Sequence, residues 1–188
     1  MGILSRLLGR DKKKGNLPFE YVRDKTGQDV SKYTQIADMV YGHAHSAAHE
    51  FAQMLGKRKT PLLVHFFHDF LTVYCIASNL KRLSSDREVA SAIVDGVHFE
   101  YYRDVNPEVV TSVLQLMAQK PDCFFCTCMA YLGTEGSGAT DCFTLALYCV
   151  HDKGSFGADE LAGRNSFEIL AMNTVKNVQK DLESMLES

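Results

Sequence analysis

The pattern of apolar and polar positions predicts two amphipathic helices between residues 33 and 80. In the first, apolar residues recur every three or four positions from Tyr33 to Leu55, and the sequence GKRKTP then ends the helix. The second begins after Pro61 and is apolar around most of its circumference. A helix with so few polar positions is expected to lie at the centre of the fold.

The apolar period changes at Gly96. Residues 85–95 have a capping-box sequence at their start and predict a short helix that Gly96 ends. The next residues, VHFEYYRDV, alternate between two sets of side chains and are rich in strand-forming residues, so they predict a β-strand. Residues 106–120 predict another helix, capped by Asn106 and with proline at its first position.

Two apolar runs, CFFCTCMAYL and CFTLALYCVH, flank the glycine-rich sequence GTEGSGATD. They predict an antiparallel hairpin over residues 123–150. A pair of buried helices also fits these runs, but their length and aromatic content favour strands. A long amphipathic helix is predicted from Asn165 to the end of the chain. The predicted fold class is α+β: an N-terminal helical layer packed on a small antiparallel sheet, with a long C-terminal helix.

Residues 1–28 are predicted to form a basic, amphipathic N-terminal tail, and residues 29–188 a single α+β domain. Residues 1–15 combine a short apolar face with a basic run, a pattern that fits an anionic membrane surface or a partner protein. Peripheral membrane contact or protein docking through this segment is one interpretation, and an ordinary disordered or self-packed terminus is the alternative. The residues expected to make that contact are Ile3, Leu4, Leu7, Leu8, Arg6 and Arg10.

The composition fits one globular domain, with 46% hydrophobic and 23% charged residues among 188. The net charge of −3 gives no electrostatic footprint for nucleic acid, and no nucleic-acid partner is predicted. No run of apolar residues has transmembrane length, and the amino terminus lacks the pattern of an export signal. We therefore expect a cytoplasmic protein whose six cysteines are reduced and mostly buried.

Five of the seven histidines lie between His43 and Phe70. Histidines three or four residues apart on adjoining helices can bind zinc or iron, and a neighbouring carboxylate adds a ligand. However, helical periodicity turns these histidines away from the two apolar stripes. This favours solvated polar faces, and no cofactor is predicted; a divalent metal is the alternative. The candidate metal ligands are His45, His49, His65, His68 and Asp69.

The spacing of His45 and the pair His68-Asp69 resembles the HD-domain phosphohydrolases, in which two histidines and two aspartates bind a divalent metal. The resemblance implies a metal site that includes His45, His68 and Asp69. It also implies an enzyme in which the metal lowers the pKa of a bound water that attacks a phosphate ester.

No nucleophile with an adjacent base stands out in the sequence. The predicted function is therefore a small cytoplasmic binding or regulatory module without catalytic activity, acting through contacts with a protein partner. The alternative is a metal-dependent phosphohydrolase with a His/Asp site on the first two helices. Ile169 and Met172 lie off the apolar stripe of the last helix and predict a homodimer. The residues expected to form partner surfaces are Tyr101, Tyr102, Arg103, Ile169 and Met172.

Overall fold

The computed structural model describes residues 18–103, 138–151 and 158–187, and within these ranges it contains helices and no strand. A π-helical turn (Thr72–Ile76) and a 3-10 turn (Ala77–Asn79) connect the third helix to the fourth. In chain order the helices are α1 (Pro18–Thr26), α2 (Ser31–Met54), α3 (Pro61–Leu71), α4 (Leu80–Leu83), α5 (Arg87–Arg103), α6 (Gly138–His151), α7 (Ala158–Leu161) and α8 (Arg164–Glu187).

The long helix α2 is the centre of the fold and contacts α3, α5 and α8. The apolar stripe expected from the sequence is buried along it, from Tyr33 to Phe51. The ring of Phe51 makes edge-to-face contacts with Phe67, Phe143 and Phe167, at centroid distances of 6.3, 6.3 and 5.2 Å. Such pairs each add about 0.5–1.5 kcal/mol to the burial of the rings themselves. This aromatic cluster therefore joins α2, α3, α6 and α8.

The start of α3 is fixed by Thr60, which is its N-cap. The Thr60 hydroxyl oxygen accepts a hydrogen bond from the backbone amide of Leu63 at 3.0 Å, and the same hydroxyl donates to the carbonyl of Cys149 at 2.7 Å. Pro61 occupies the first helical position, where its missing amide hydrogen costs nothing. One threonine therefore begins α3 and attaches it to α6.

The strand predicted after Gly96 is wrong, because Arg87–Arg103 is one continuous helix. The buried side chains of α5 follow helical spacing through the position where the strand was expected. Gly96 lies in the middle of this helix instead of ending it, and a Cβ atom there would lie 2.1 Å from the ring of Phe19. Glycine at this position lets α1 pack closely against α5. The buried apolar residues of α5 are Val89, Ala90, Ile93, Val94 and Val97.

The second strand of the predicted hairpin is also wrong, because residues 138–151 form α6. Residues 123–137, which include the first strand, lie outside the described residues, as does the whole of the predicted helix over residues 106–120. The α+β fold class is therefore incorrect for the part of the chain that the structure describes, which is helical. A helix that is buried on several sides shows no polar face, and neither does a buried strand. The aromatic and cysteine content of these runs therefore did not distinguish the two.

Residues 18–26, which the sequence pattern assigns to the N-terminal tail, form α1 and contact α5. Phe19 and Val22 are buried in this contact. Outside the core, Nζ of Lys25 lies 3.1 Å from a carboxylate oxygen of Asp86 and 2.8 Å from one of Glu88, at the start of α5. The tail residues expected to contact a membrane or partner lie outside the described residues.

The helical run Pro61–Leu83 is the one segment in the described ranges that is long and apolar enough to cross a membrane. It has 23 residues and a mean hydropathy of 1.3, and 72% of its apolar window is buried inside the fold. Core helices of folded domains share these properties. In this protein the run packs against α2, α5, α6 and α8.

Candidate metal centre

Helix α3 carries three ionisable side chains into the core. His65 and His68 have no exposed surface, and Asp69 is 5% exposed. The prediction that these two histidines face solvent is wrong. Its basis was a single apolar stripe, but α3 and the π-helical turn after it are covered by α2, α5, α6 and α8. A helix enclosed in this way has no solvent sector along most of its length, so its polar side chains are buried with the rest.

His98 on α5 completes the cluster, and it is buried as well. The sequence analysis missed it because that segment was interpreted as a strand with His98 on its polar side. When residues 87–103 are interpreted as a helix, His98 follows the buried Val94 by four positions and lies on the same face. This spacing is the signal in the sequence that points to His98.

The carboxylate of Asp69 lies between the histidines. Its Oδ2 accepts a hydrogen bond from Nε2 of His65 at 2.9 Å. Its Oδ1 faces Nδ1 of His98 at 3.2 Å and Nδ1 of His68 at 3.8 Å. The His98 contact is within hydrogen-bonding distance, but no well-aligned hydrogen bond joins Oδ1 to a described residue. The cluster therefore holds a buried carboxylate oxygen beside two imidazole nitrogens.

Burial and charge act in opposite directions on the pKa values of this cluster. Burial raises the pKa of Asp69, but the electrostatic interaction with His65 and the contacts with the three histidines outweigh it and hold that pKa well below its usual value. Burial lowers the pKa of His68 to about 4, and the attraction of Asp69 only partly opposes this. At neutral pH, Asp69 is therefore charged and His68 is neutral. These are the protonation states in which both side chains bind metals.

The geometry fits a metal ion held by His68, Asp69 and His98, whose candidate ligand atoms all lie within 4.8 Å of one another. Bonds of about 2.0–2.2 Å in a tetrahedral site separate neighbouring ligand atoms by about 3.4 Å. The two distances from Oδ1, 3.2 and 3.8 Å, lie on either side of that value. Two imidazoles and one carboxylate are a ligand set typical of zinc and of iron(II).

The other histidines of the sequence cluster do not join this site. His45 and His49 are exposed on α2, as their position opposite the apolar stripe predicted. Nδ1 of His45 lies 3.2 Å from Nζ of Lys59, and His43 contacts Asp181 of α8 at 2.8 Å. The ligand set of His45, His68 and Asp69, which the resemblance to HD-domain phosphohydrolases implies, is therefore not brought together.

The residues expected to form partner surfaces belong to α5 and α8. Tyr101, Tyr102 and Arg103 belong to the last turn of α5, so they are not at a sheet edge. Ile169 and Met172 are exposed on α8. This exposure agrees with the sequence pattern, in which both residues lie off the apolar stripe. Self-association through them stays a prediction.

Comparisons with protein-family models, curated proteins and solved structures found no match. The fold and the site together define a helical protein with a buried cluster of three histidines and one aspartate. Its function is therefore argued from the geometry of that cluster.

Proposed function

We propose that this protein is a metal-binding helical module. One divalent transition-metal ion, zinc or iron(II), binds Nδ1 of His68, Oδ1 of Asp69 and Nδ1 of His98. The observation that supports the proposal most directly is the buried Oδ1 of Asp69, which faces two imidazole nitrogens without an aligned hydrogen bond among the described residues. Two nitrogen ligands favour a transition metal over magnesium or calcium, which prefer oxygen.

The energetics of burial favour a cation at this position. A buried carboxylate stays charged only with compensating partners, and interactions with the three histidines supply that compensation in the absence of metal. The hydrogen bond from His65 satisfies one oxygen of Asp69. His68 is neutral because its pKa is about 4, so it brings no positive charge to the other oxygen. A metal ion at Oδ1 adds a positive charge there and uses the neutral nitrogen of His68 as a ligand.

His65 has a separate part in this proposal, because it contacts the carboxylate oxygen that faces away from the metal position. A hydrogen bond to the remote oxygen of a ligating carboxylate fixes its orientation and tunes its strength as a ligand. His65 is therefore a positioning residue and not a ligand. Among the residues named as candidate ligands from the sequence, His68 and Asp69 are retained, and His98 is added.

The consequence for the protein is a fold whose stability depends on metal. The site joins α3 to α5, two helices that are far apart in the chain, and metal that binds only the folded form stabilises it by mass action. At a free metal concentration of 100 times Kd this amounts to about 2.7 kcal/mol. A module of this kind acts through metal-dependent contacts with partners and needs no catalytic step.

The test is the metal content of the protein purified without added metal and then after incubation with Zn²⁺ or with Fe²⁺ under anaerobic conditions. We expect about one ion per chain in the wild type. His98→Ala and Asp69→Asn are expected to lose it, whereas His45→Ala, which removes an exposed histidine of α2, retains it. Circular dichroism establishes that each variant is helical before its metal content is compared.

Two results contradict the proposal. One is a folded wild-type protein that takes up neither Zn²⁺ nor Fe²⁺ in stoichiometric amount. The other is a metal that stays bound in folded His98→Ala but is lost in His45→Ala, because that result places the ion on the surface of α2.

A hydrolytic activity is tested separately with the metal-loaded protein and p-nitrophenyl phosphate. The cavity beside Phe19 and the groove beside α8 are both lined by residues other than those of the cluster, so neither brings a substrate to it. We expect no hydrolysis above that of the free metal ion. Metal-dependent hydrolysis that disappears in Asp69→Asn would replace the non-catalytic module with a phosphohydrolase.

A further inference from the structure

Helix α8 presents two large apolar side chains to solvent. Ile169 is 56% exposed and Met172 is 52% exposed, whereas other apolar residues of this helix, such as Phe167, are buried. Both line a groove of about 850 Å³ that is also lined by Phe70 and Tyr74. An exposed apolar pair beside an apolar groove is a surface that association with another molecule can cover.

The residues of α8 along this groove have a self-complementary order around Met172. Glu168 and Lys176 lie four residues before and after it, and Asn165 and Gln179 lie seven residues before and after it. Residues at i, i+3, i+4 and i+7 share one face of a helix. When two copies of such a face meet in antiparallel orientation, positions at equal distances from the centre lie opposite each other.

We infer that the occupant of this surface is a second copy of the chain, with the two α8 helices antiparallel and a two-fold axis passing beside Met172. Glu168 of each copy then lies opposite Lys176 of the other, which gives two ion pairs across the interface. Met172 packs against its own symmetry mate, and Ile169 enters the groove of the other copy. A two-fold interface requires a patch that complements itself, and this order of charges meets that requirement.

The charge order distinguishes a second copy from other occupants of the groove. A small apolar ligand needs the groove but gains nothing from Glu168 and Lys176 at matched distances from Met172. A different protein can use both charges, but it does not require their symmetry about one residue. The interface lies on α8 and does not involve the metal ligands of α3 and α5, so the inference is independent of the proposed function.

The test is sedimentation equilibrium of the full chain. The wild type is expected at twice the chain mass of 21.0 kDa at micromolar concentration. Met172→Glu places two like charges against each other at the two-fold axis and is expected to halve the mass. Asn177→Glu adds the same charge at another exposed position of α8, away from the groove, and is expected to leave the dimer intact.

Charge reversal tests the antiparallel register. Glu168→Lys alone and Lys176→Glu alone each place like charges opposite one another and are expected to give monomers. The double variant restores opposite charges and is expected to recover the dimer. A monomeric wild type, a dimer that survives Met172→Glu, or a double variant that stays monomeric while both single variants dissociate overturns the inference.

Discussion

Nε2 of His65 lies 2.9 Å from Oδ2 of Asp69, four residues later on the same helix, and both side chains are inside the core. This contact fixes the plane of the carboxylate, so that Oδ1 points toward His68 and His98. Without it, the carboxylate could rotate and lose its alignment with the two imidazoles. The orientation of the candidate ligand therefore depends on a histidine that does not touch the proposed metal position.

Replacing His65 is expected to weaken metal binding without abolishing it. His65→Ala removes the donor to Oδ2, and a loss of such a supporting contact lowers metal affinity by about 10–100-fold. His65→Gln keeps an N–H donor on the side chain and is expected to lose less. Competition with a chelator of known zinc affinity measures the difference. Wild-type affinity in His65→Ala would show that this residue does not position the carboxylate.

The stability of the metal-free protein is expected to fall as the pH decreases from 6.5 to 4. His68 has its pKa lowered from 6.5 to about 4 in the folded protein, so the unfolded chain binds more protons across this interval. Acidification therefore favours unfolding, by about 3 kcal/mol from this one residue. Asp69 adds a further loss below pH 3.8, because its lowered pKa stabilises the fold only while it is charged.

Urea unfolding at several pH values, after metal is removed by a chelator, measures this dependence. His68→Gln is the matched variant, because glutamine does not titrate in this range. The slope of the unfolding free energy between pH 6.5 and 4 is expected to be smaller in His68→Gln than in the wild type. Equal slopes would show that His68 titrates normally in the folded protein.

Two glycine substitutions are expected to have opposite effects on stability. Gly96→Ala places a Cβ atom 2.1 Å from the ring of Phe19, so α1 must shift away from α5, at a cost of about 1–3 kcal/mol. Gly42→Ala adds a Cβ on α2 with no atom within 4 Å and is expected to stabilise the helix by up to about 1 kcal/mol. Thermal unfolding of both variants checks this. A stabilised Gly96→Ala would contradict the close packing of α1 on α5.

The described cysteines are expected to be unreactive in the folded protein. Cys75, Cys142 and Cys149 are buried, and burial raises the pKa of the Cys75 thiol to about 12, which keeps it protonated and a weak nucleophile. Peptide mapping after a short treatment with iodoacetamide measures labelling at each site. We expect these three to react only after denaturation. Rapid labelling of Cys75 in the native state would show that the core around α3 opens.

The helices with one solvent face could be predicted from the sequence, and the enclosed ones could not. The apolar stripe of α2 and the long helix α8 are confirmed because each leaves a polar face that reveals the helical period. Helix α6 is apolar on most sides, so its sequence also fits a strand. In α5 the short alternating segment around His98 outweighed a helical period that becomes clear only over Arg87–Arg103.

Some side chains of the candidate site could be named from the sequence, but the pattern favoured solvated polar faces without a metal. His65, His68 and Asp69 were recognised as candidate ligands from their spacing, but their burial depends on how the other helices surround α3. Burial by neighbouring helices is a property of the tertiary structure and cannot be predicted from the apolar period of one helix. His98 belongs to another helix and lies 29 positions after Asp69 in the chain, so only the fold brings the two together.

The central claim is that a metal ion lies between α3 and α5, and anomalous scattering from crystals of the zinc-loaded protein tests it most directly. Data collected above and below the zinc absorption edge locate the ion in the wild-type protein, so no comparison with a variant is needed. The account predicts one strong anomalous peak within about 2.2 Å of Nδ1 of His68, Oδ1 of Asp69 and Nδ1 of His98. An anomalous map with no peak at this position, or with its strongest peak beside His45 and His49 on the surface of α2, would contradict it.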